Sequence, residues 1–285
     1  MKTLVTIVAD DFGLTRGITD TILKVIDEGP VRLVSILVNG EAVEYALSEY
    51  KKRSDRLKLA VHLNLTEGKA LSAPRDIPHL VDTRGMFVHS IVSLWLSYLF
   101  GTRAKRAKLR REVRTEMAAQ CAVVRTALGT DALAVNGHQH VHMIPFVFEE
   151  LMAIRGVDAV RIVRENFFLC GIPSPVYVLA RFVLALLSTR ATRNARARGI
   201  RTNDWFVGFL YSGHMDEHKA RAGIAHAGEG LVEILFHPGN ARDGELHEWR
   251  ECRAIIAWHY ANARRREREA LKKIQANGHI DFVLQ

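Results

Sequence analysis

The sequence predicts an α/β fold in which parallel strands alternate with helices within one domain, residues 1–285. Short runs rich in Val, Ile and Leu alternate along the chain with longer segments whose apolar residues recur at helical spacing. This alternation is typical of parallel sheets with right-handed crossovers. The 285 residues contain no Pro/Gly/Ser-rich linker, and a (β/α) barrel takes roughly 250 residues. A single large α/β domain therefore fits the chain.

The elements follow one another in a regular order. The first strand, Leu4–Ala9, is a buried type of apolar run, and the first helix, Thr15–Glu28, ends before Gly29 and Pro30, which stop helices. The same patterns predict further strands at Leu33–Val38, Leu57–Val61, Ala132–Val135, Ala159–Val163, Leu231–Phe236 and Ile280–Leu284, and further helices at Glu41–Lys52, Lys105–Leu128, Pro145–Ile154 and His247–Lys273.

Four of the predicted strands end in side chains that bind metals or transfer protons. Asp10 and Asp11 follow the first strand, and His62, His138 and His237 lie at the ends of three others. Neighbouring parallel strands place their carboxyl ends on one face, so we expect these side chains in one shared site. Two adjacent carboxylates repel each other, and the simplest compensation is a metal cation on one and a proton or hydrogen bond on the other.

Four sequence motifs carry a family resemblance. In chain order they are Ala-Asp-Asp-Phe-Gly at Ala9–Gly13, His-Leu-Asn-Leu-Thr at His62–Thr66, Gly-His-Gln-His-Val-His at Gly137–His142 and His-Pro-Gly at His237–Gly239. Together they resemble the YdjC-like carbohydrate deacetylases over most of the chain. The resemblance implies a distorted TIM-like (β/α) barrel and the metal-dependent removal of acetyl groups from N-acetylated amino sugars. The chain has Asn136 where members of the family often have Asp.

The resemblance also implies roles for individual residues. Asp11, His62 and His138 become the ligands of one divalent metal ion, for which Zn²⁺ is favoured because it takes N and O ligands and keeps a position open. Mg²⁺, which prefers oxygen ligands, is the alternative. Asp10 becomes the general base and His237 the general acid. Three further residues, Asn64, His140 and His142, are expected to orient a ligand or touch the substrate, and no other cofactor is expected.

Two helical insertions, around residues 88–112 and 172–202, interrupt the predicted barrel. In each, an apolar run, Ile91–Phe100 or Val176–Leu187, precedes a series of Arg and Lys residues. Both runs are shorter than the roughly 20 apolar residues that span a bilayer, but an apolar helix beside basic residues suits a membrane surface. The alternative is that both insertions are core or homodimer-interface helices. They resemble the family branch associated with hopanoid biosynthesis, which implies N-acetylglucosamine linked to a lipid as the substrate.

The net charge of the chain limits the classes of partner that it is expected to bind. A net charge of +9 and a pI near 9.7 favour an anionic membrane, whereas no nucleic-acid motif accompanies the basic residues, so no nucleic acid is expected. The basic cluster Arg264–Arg268 is interpreted as a solvated helix face.

The expected location is the cytoplasm, at the inner face of the membrane. The first apolar run is too short for a signal peptide, and Cys121, Cys170 and Cys252 lack disulfide or thiolate-metal spacing. Two other functions stay open, a soluble chito-oligosaccharide deacetylase and a non-catalytic sugar-binding or scaffold protein.

Overall fold

Eight parallel strands form one curled sheet in the computed structural model, which describes residues 3–172, 174–246 and 262–276. The strands are β1 (Thr3–Phe12), β2 (Val31–Ile36), β3 (Lys58–Leu63), β4 (Leu133–Gly137), β5 (Val157–Val160), β6 (Arg201–Thr202), β7 (Trp205–Val207) and β8 (Gly230–Phe236). Their order across the sheet is β6-β5-β4-β3-β2-β1-β8-β7, so β6 and β7 are its edges. The predicted fold class, a distorted TIM-like barrel, is confirmed.

Helices connect the strands. They are α1 (Arg16–Glu28), α2 (Val43–Lys51), α3 (Ile91–Leu99), α4 (Arg103–Leu128), α5 (Pro145–Leu151), α6 (Pro175–Arg196), α7 (Glu217–His226) and α8 (Asn262–Ala276), with a 3₁₀ helix at His138–Met143. The N-terminus of α1 lies where the sequence predicts it, because the Thr15 side chain accepts a hydrogen bond from the backbone N–H of Ile18. Gly129, at φ 62°, ends α4.

The structure differs from the predicted elements at several points, and helix α7 has no predicted counterpart. The short edge strands β6 and β7 have no predicted counterpart, because two or three residues are too few to show a period. The strand predicted at Ala159–Val163 ends earlier, at Val160. Of the helix predicted at His247–Lys273, the part from Asn262 is helical, whereas residues 247–261 and the strand predicted at Ile280–Leu284 lie outside the described residues.

Both insertions form helices that pack on the barrel with one side only. On α3, Leu94 is buried and Tyr98 stacks on Phe146 with ring centroids 4.0 Å apart. On α6, Ser188 is buried and its hydroxyl donates to the carbonyl of Val163. The other side of each helix exposes large apolar residues, which are Val92, Leu96 and Leu99 on α3, with Phe100 directly after it, and Val176, Leu179, Phe182, Val183 and Leu186 on α6.

Helix α6 is longer than the apolar run that predicts it. Its 22 residues make it the one helix among residues 3–172, 174–246 and 262–276 that is long and apolar enough to cross a membrane, by length and composition alone. Its basic end is tied to the rest of the protein, since Arg190 of α6 and Arg110 of α4 each form an ion pair with Glu149.

Candidate active site

The carboxyl ends of four strands meet in one pocket of about 420 Å³. Asp10 and Asp11 come from the end of β1, His62 from β3, His138 from the turn after β4 and His237 from the turn after β8. The structure thus brings together the five residues that the sequence places at strand ends. His140 also lines the pocket, whereas Asn64 and His142 lie behind it.

Three of these residues offer a metal-binding triad. One ligand atom from each of Asp11, His62 and His138 lies within 4.8 Å of the other two. Oδ1 of Asp11 is 3.7 Å from Nε2 of His62 and 3.2 Å from Nδ1 of His138, yet this buried oxygen forms no hydrogen bond with any described residue. Because a buried carboxylate oxygen normally has a partner, this unpaired oxygen between two imidazole nitrogens fits a divalent cation.

The second nitrogen of each imidazole is engaged behind the triad. Nδ1 of His62 donates to Oδ1 of Asn136 across 2.6 Å, which leaves Nε2 as its ligand atom. The Asn136 amide nitrogen in turn donates to Ser35. Nε2 of His138 lies 3.1 Å from the Glu67 carboxylate, which leaves Nδ1 towards Asp11. Partners of this kind fix the tautomer and orientation of metal-binding histidines.

Asn64 acts through the turn that carries Glu67. Its side-chain oxygen accepts from the backbone N–H groups of Thr66 and Glu67, and its nitrogen donates to the Glu67 carbonyl. Asn64 is fully buried. Its contribution to the site is therefore to place Glu67 against His138.

Asp10 is held by a buried arginine. Nη1 and Nη2 of Arg161 donate to the two Asp10 oxygens at 2.7 and 2.9 Å, and Nε of Arg161 contacts the buried Glu233. Burial raises the pKa of the Asp10 carboxyl, but the charge and hydrogen bonds of Arg161, together with the charges of His62 and His237, outweigh burial and hold the pKa well below its usual value. Asp10 is therefore ionised at neutral pH.

A second buried arginine faces Asp11. Nη1 of Arg264, on α8, lies 3.5 Å from Oδ2 of Asp11. The interpretation of Arg264–Arg268 as a solvated face is wrong for this residue, since Arg264 is 1% exposed. Each of the two adjacent carboxylates thus has its own guanidinium partner.

His237 lies beside both carboxylates. Burial lowers the pKa of its imidazole to about 4, although the negative charge of Asp11 raises it. The ring is therefore neutral at pH 7 before substrate binds, and a role as general acid requires that a proton reach it during the reaction.

The strand does not continue through His140. It ends at Gly137 because Gln139 and His140 adopt left-handed backbone angles, with φ of 51° and 60°, inside the 3₁₀ helix. His138 and His140 therefore do not share a strand face. His140 instead contacts the rings of Phe206 and Phe209, and Nε2 of His142 donates to the backbone carbonyl of Arg161.

Comparisons with known proteins agree with this geometry. The family model of YdjC-like proteins matches residues 4–278. The chain belongs to the YdjC-like family. It is 30% identical to the carbohydrate deacetylase of Mus musculus, in an alignment that covers 82% of this chain and 77% of the relative. It is also 30% identical to the carbohydrate deacetylase of Homo sapiens, in an alignment that covers 84% of this chain and 75% of the relative.

Two further matches support the fold and the enzyme class. The chitooligosaccharide deacetylase of Escherichia fergusonii is 29% identical over 59% of this chain and 62% of its own. A crystal structure from Enterococcus faecalis V583 superposes with a TM-score of 0.67 at 19% identity, covering 97% of this chain and 94% of the other, which shows a shared fold. This YdjC-like protein is thus a member of a family of carbohydrate deacetylases.

Several buried charged residues of this YdjC-like protein are absent from the sequence-based site, and four of them, Glu67, Arg161, Glu233 and Arg264, contact its residues or their partners. A signal exists for two of them, because Arg161 and Glu233 each interrupt an apolar strand-like run. Glu67 lies in a segment without a period, and Arg264 lies among other basic residues of a helix. Only the tertiary structure distinguishes Glu67 and Arg264 from charged residues at the surface.

Glu165 organises a loop at the pocket wall. Its buried carboxylate accepts from the backbone N–H groups of Gly208, Phe209 and Leu210, and Phe209 lines the pocket. Burial raises the pKa of Glu165 from 4.5 to about 7, against the lowering effect of these donors and of the nearby Arg181.

This raised pKa predicts a pH-dependent stability. Between pH 4.5 and about 7 the folded protein binds a proton at Glu165 that the unfolded chain does not, so the free energy of unfolding falls as the pH rises through this window. Denaturant titrations across the window should show a shallower fall for Glu165→Gln than for the parent. Equal slopes would contradict the assignment.

Proposed function

We propose that this protein hydrolyses the N-acetyl group of an amino sugar carried on a lipid, with N-acetylglucosamine linked to a hopanoid or similar lipid as the substrate class. The observation that carries the lipid part of the proposal is the composition of the pocket wall. The acetylated-sugar part is supported by the relatives, which are named carbohydrate deacetylase and chitooligosaccharide deacetylase.

The residues divide the hydrolysis among them. Asp10, ionised and held by Arg161, takes a proton from the water whose oxygen bonds to the acetyl carbon. The proton that Asp10 takes from water passes to the neutral His237 ring. When the bond between carbon and nitrogen breaks, His237 delivers that proton to the departing amine, which leaves neutral, and acetic acid, which ionises to acetate, is the second product. A divalent ion on Asp11, His62 and His138, with zinc favoured by these nitrogen and oxygen donors, supplies Lewis-acid activation of water and carbonyl.

The pocket is lined by two unlike sets of side chains. The triad and Asp10 supply polar groups to its lining, whereas Ile91 of α3 and Val176, Tyr177 and Ala180 of α6 supply apolar ones. Both insertions therefore contribute apolar side chains directly to the pocket that contains the triad. A free oligosaccharide has little apolar surface to cover such a wall, whereas a lipid aglycone does.

The same helices support membrane association. The outer sides of α3 and α6 expose apolar residues, among them Leu186 at 78%, and Phe100, directly after α3, is 84% exposed. Basic residues follow both apolar runs, and each Lys or Arg near an anionic leaflet contributes about 1 kcal/mol. A peripheral position on the inner face of the cytoplasmic membrane follows from the proposed substrate.

The alternative function is a soluble chito-oligosaccharide deacetylase in which the exposed helices form a homodimer. The name of the Escherichia fergusonii relative favours it. Incubating metal-loaded protein with an N-acetylglucosaminyl lipid and with a chito-oligosaccharide, followed by mass spectrometry, separates the two. Faster loss of one acetyl group from the lipid-linked sugar than from the oligosaccharide supports the proposal. Loss from the oligosaccharide alone favours the alternative.

Exposed apolar residues of the insertions should matter for the lipid substrate alone. Replacing Leu96, Phe182 and Leu186 by Ser is expected to weaken liposome binding and to raise KM for the lipid-linked sugar, with little effect on a short water-soluble analogue. Each such side chain contributes roughly 1.5–3 kcal/mol when fully buried in an apolar phase, and this binding energy is remote from the reacting bond.

Leu4→Ser is the matched control, because Leu4 is 37% exposed at the opposite, amino-terminal end of β1. It should leave liposome binding unchanged. Equal loss on both substrates in the triple variant, or a change from dimer to monomer, would instead assign the helices to the core or to a subunit interface. Trp95, which is half-buried against the core, is left intact in this design.

A further inference from the structure

The turn that carries His237 is held by one face of helix α8. Glu267 accepts hydrogen bonds from the backbone N–H of His237 at 2.5 Å and from that of Met215 at 3.2 Å. Nη1 of Arg264 lies 3.4 Å from the His237 carbonyl and 3.3 Å from the Gly239 carbonyl. The helix thus contacts both backbone polar groups of His237.

Arg268 completes the contact. Its Nη1 donates to the Pro238 carbonyl at 3.0 Å and also to Oδ1 of Asn240. Residues three and four apart lie on one side of a helix, so Arg264, Glu267 and Arg268 form a single polar face of α8. We call these three side chains the α8 clamp.

The α8 clamp is costly to bury. Arg264 and Glu267 are 1% and 0% exposed, and a buried charge is tolerated only when it is paired and hydrogen-bonded. Apolar residues of the same helix, Leu271 and Ile274, already anchor it to the core. The polar residues of the α8 clamp instead contact the backbone of residues 237–240.

Arg264 links the same turn to the metal-binding triad. The nitrogen that contacts the His237 and Gly239 carbonyls also lies 3.5 Å from Oδ2 of Asp11. Asp11 lies on β1 and His237 after β8, two strands that pair directly. One guanidinium group therefore contacts both a residue of the triad and the backbone of the turn that carries His237.

We infer that the α8 clamp positions His237 for proton delivery to the departing amine, acting through the backbone of the turn at residues 237–240. The inference rests on the proposed function, in which His237 is the general acid. A misplacement of about 1 Å can cost roughly 10²-fold in rate. The three residues are positioning residues, since they hold His237 and lie outside the pocket lining.

The test compares two substrates whose leaving groups differ in their need for a proton. An amine leaves an N-acetyl sugar only with a proton, whereas the phenolate of an activated aryl acetate leaves without one. In Arg268→Ala and Glu267→Gln, kcat for the N-acetyl sugar should fall about 10²-fold while KM, metal content and aryl acetate hydrolysis stay close to those of the parent. Arg265→Ala is the matched control, because Arg265 is exposed on the same helix and its ion pair is with Glu269 rather than with the turn at residues 237–240.

Two outcomes would overturn the inference. One is an equal loss on both substrates, which would mean that the variants damage the site as a whole. The other is an undiminished rate on the N-acetyl sugar. A parent protein that hydrolyses no N-acetyl sugar would refute the proposed function instead.

Amide hydrogen exchange tests the α8 clamp by a measurement that does not depend on enzyme activity. A peptide spanning residues 235–240 should exchange faster in Glu267→Gln than in Arg265→Ala, because the acceptor of the His237 N–H is weakened. Unchanged exchange would show that α8 does not hold the turn.

Discussion

His138→Ala is expected to give a folded protein that binds no divalent ion and has no measurable deacetylase activity, and His62→Ala should do the same. Each variant removes one of three protein donors whose ligand atoms lie within 4.8 Å of one another. Three is the number that a catalytic zinc site has in total. Elemental analysis of the purified variants and metal titration of the apoproteins measure the loss directly.

His214→Ala is the control for this loss. His214 is exposed and lies outside the catalytic pocket, so the variant should bind about one ion per chain, as the parent does. A His62 or His138 variant that binds the ion as tightly as the parent would show that the ligands lie elsewhere, and the unpaired Oδ1 of Asp11 would then need another explanation.

Asp10→Asn is expected to keep the metal and to lose most of the rate. Asn has the shape of Asp and can still accept a hydrogen bond from Arg161, but it cannot take up a proton. General acid–base groups contribute roughly 10²- to 10⁴-fold, and kcat should fall by a factor in this range. Steady-state kinetics with the metal-loaded variant check it.

Glu233→Gln is the control that separates loss of the base from loss of a carboxylate partner of Arg161. Like Asp10, Glu233 is a buried carboxylate partner of Arg161, at 2.5 Å from its Nε, but it does not line the pocket. Its neutralisation should cost less activity than that of Asp10. If Asp10→Asn instead loses the ion, Asp10 is a ligand and Asp11 takes the role of base.

The sequence by itself determined the strand–helix alternation and the residues that converge in the site. Strands and helices have periods that can be read from the order of apolar residues, and parallel strands put their carboxyl ends on one face whatever their neighbours are. Asp10, Asp11, His62, His138 and His237 could therefore be placed together before the structure. The family resemblance implies which three of them bind the metal, and the structure brings the ligand atoms of those three within 4.8 Å of one another.

The tertiary structure alone decided how the adjacent carboxylates are compensated. Arg161 pairs with Asp10, 151 positions earlier in the chain, and Arg264 reaches Asp11 from a helix near the other end. Such pairings depend on which side chains are buried at the same point, and no local pattern encodes that. An arginine beside others on a helix has the same local signal whether it is solvated or buried.

The apolar insertions show the same limit. Their sequence predicts helices at a membrane surface, with core or homodimer-interface helices as the alternative, and composition does not identify the residues that line the pocket. Only the packing of α3 and α6 on the barrel places Ile91, Val176, Tyr177 and Ala180 at the pocket that holds the triad. The helical spacing of apolar residues shows that a helix has an apolar face, but it does not show which element that face packs against. Contacts with elements distant in the sequence decide this.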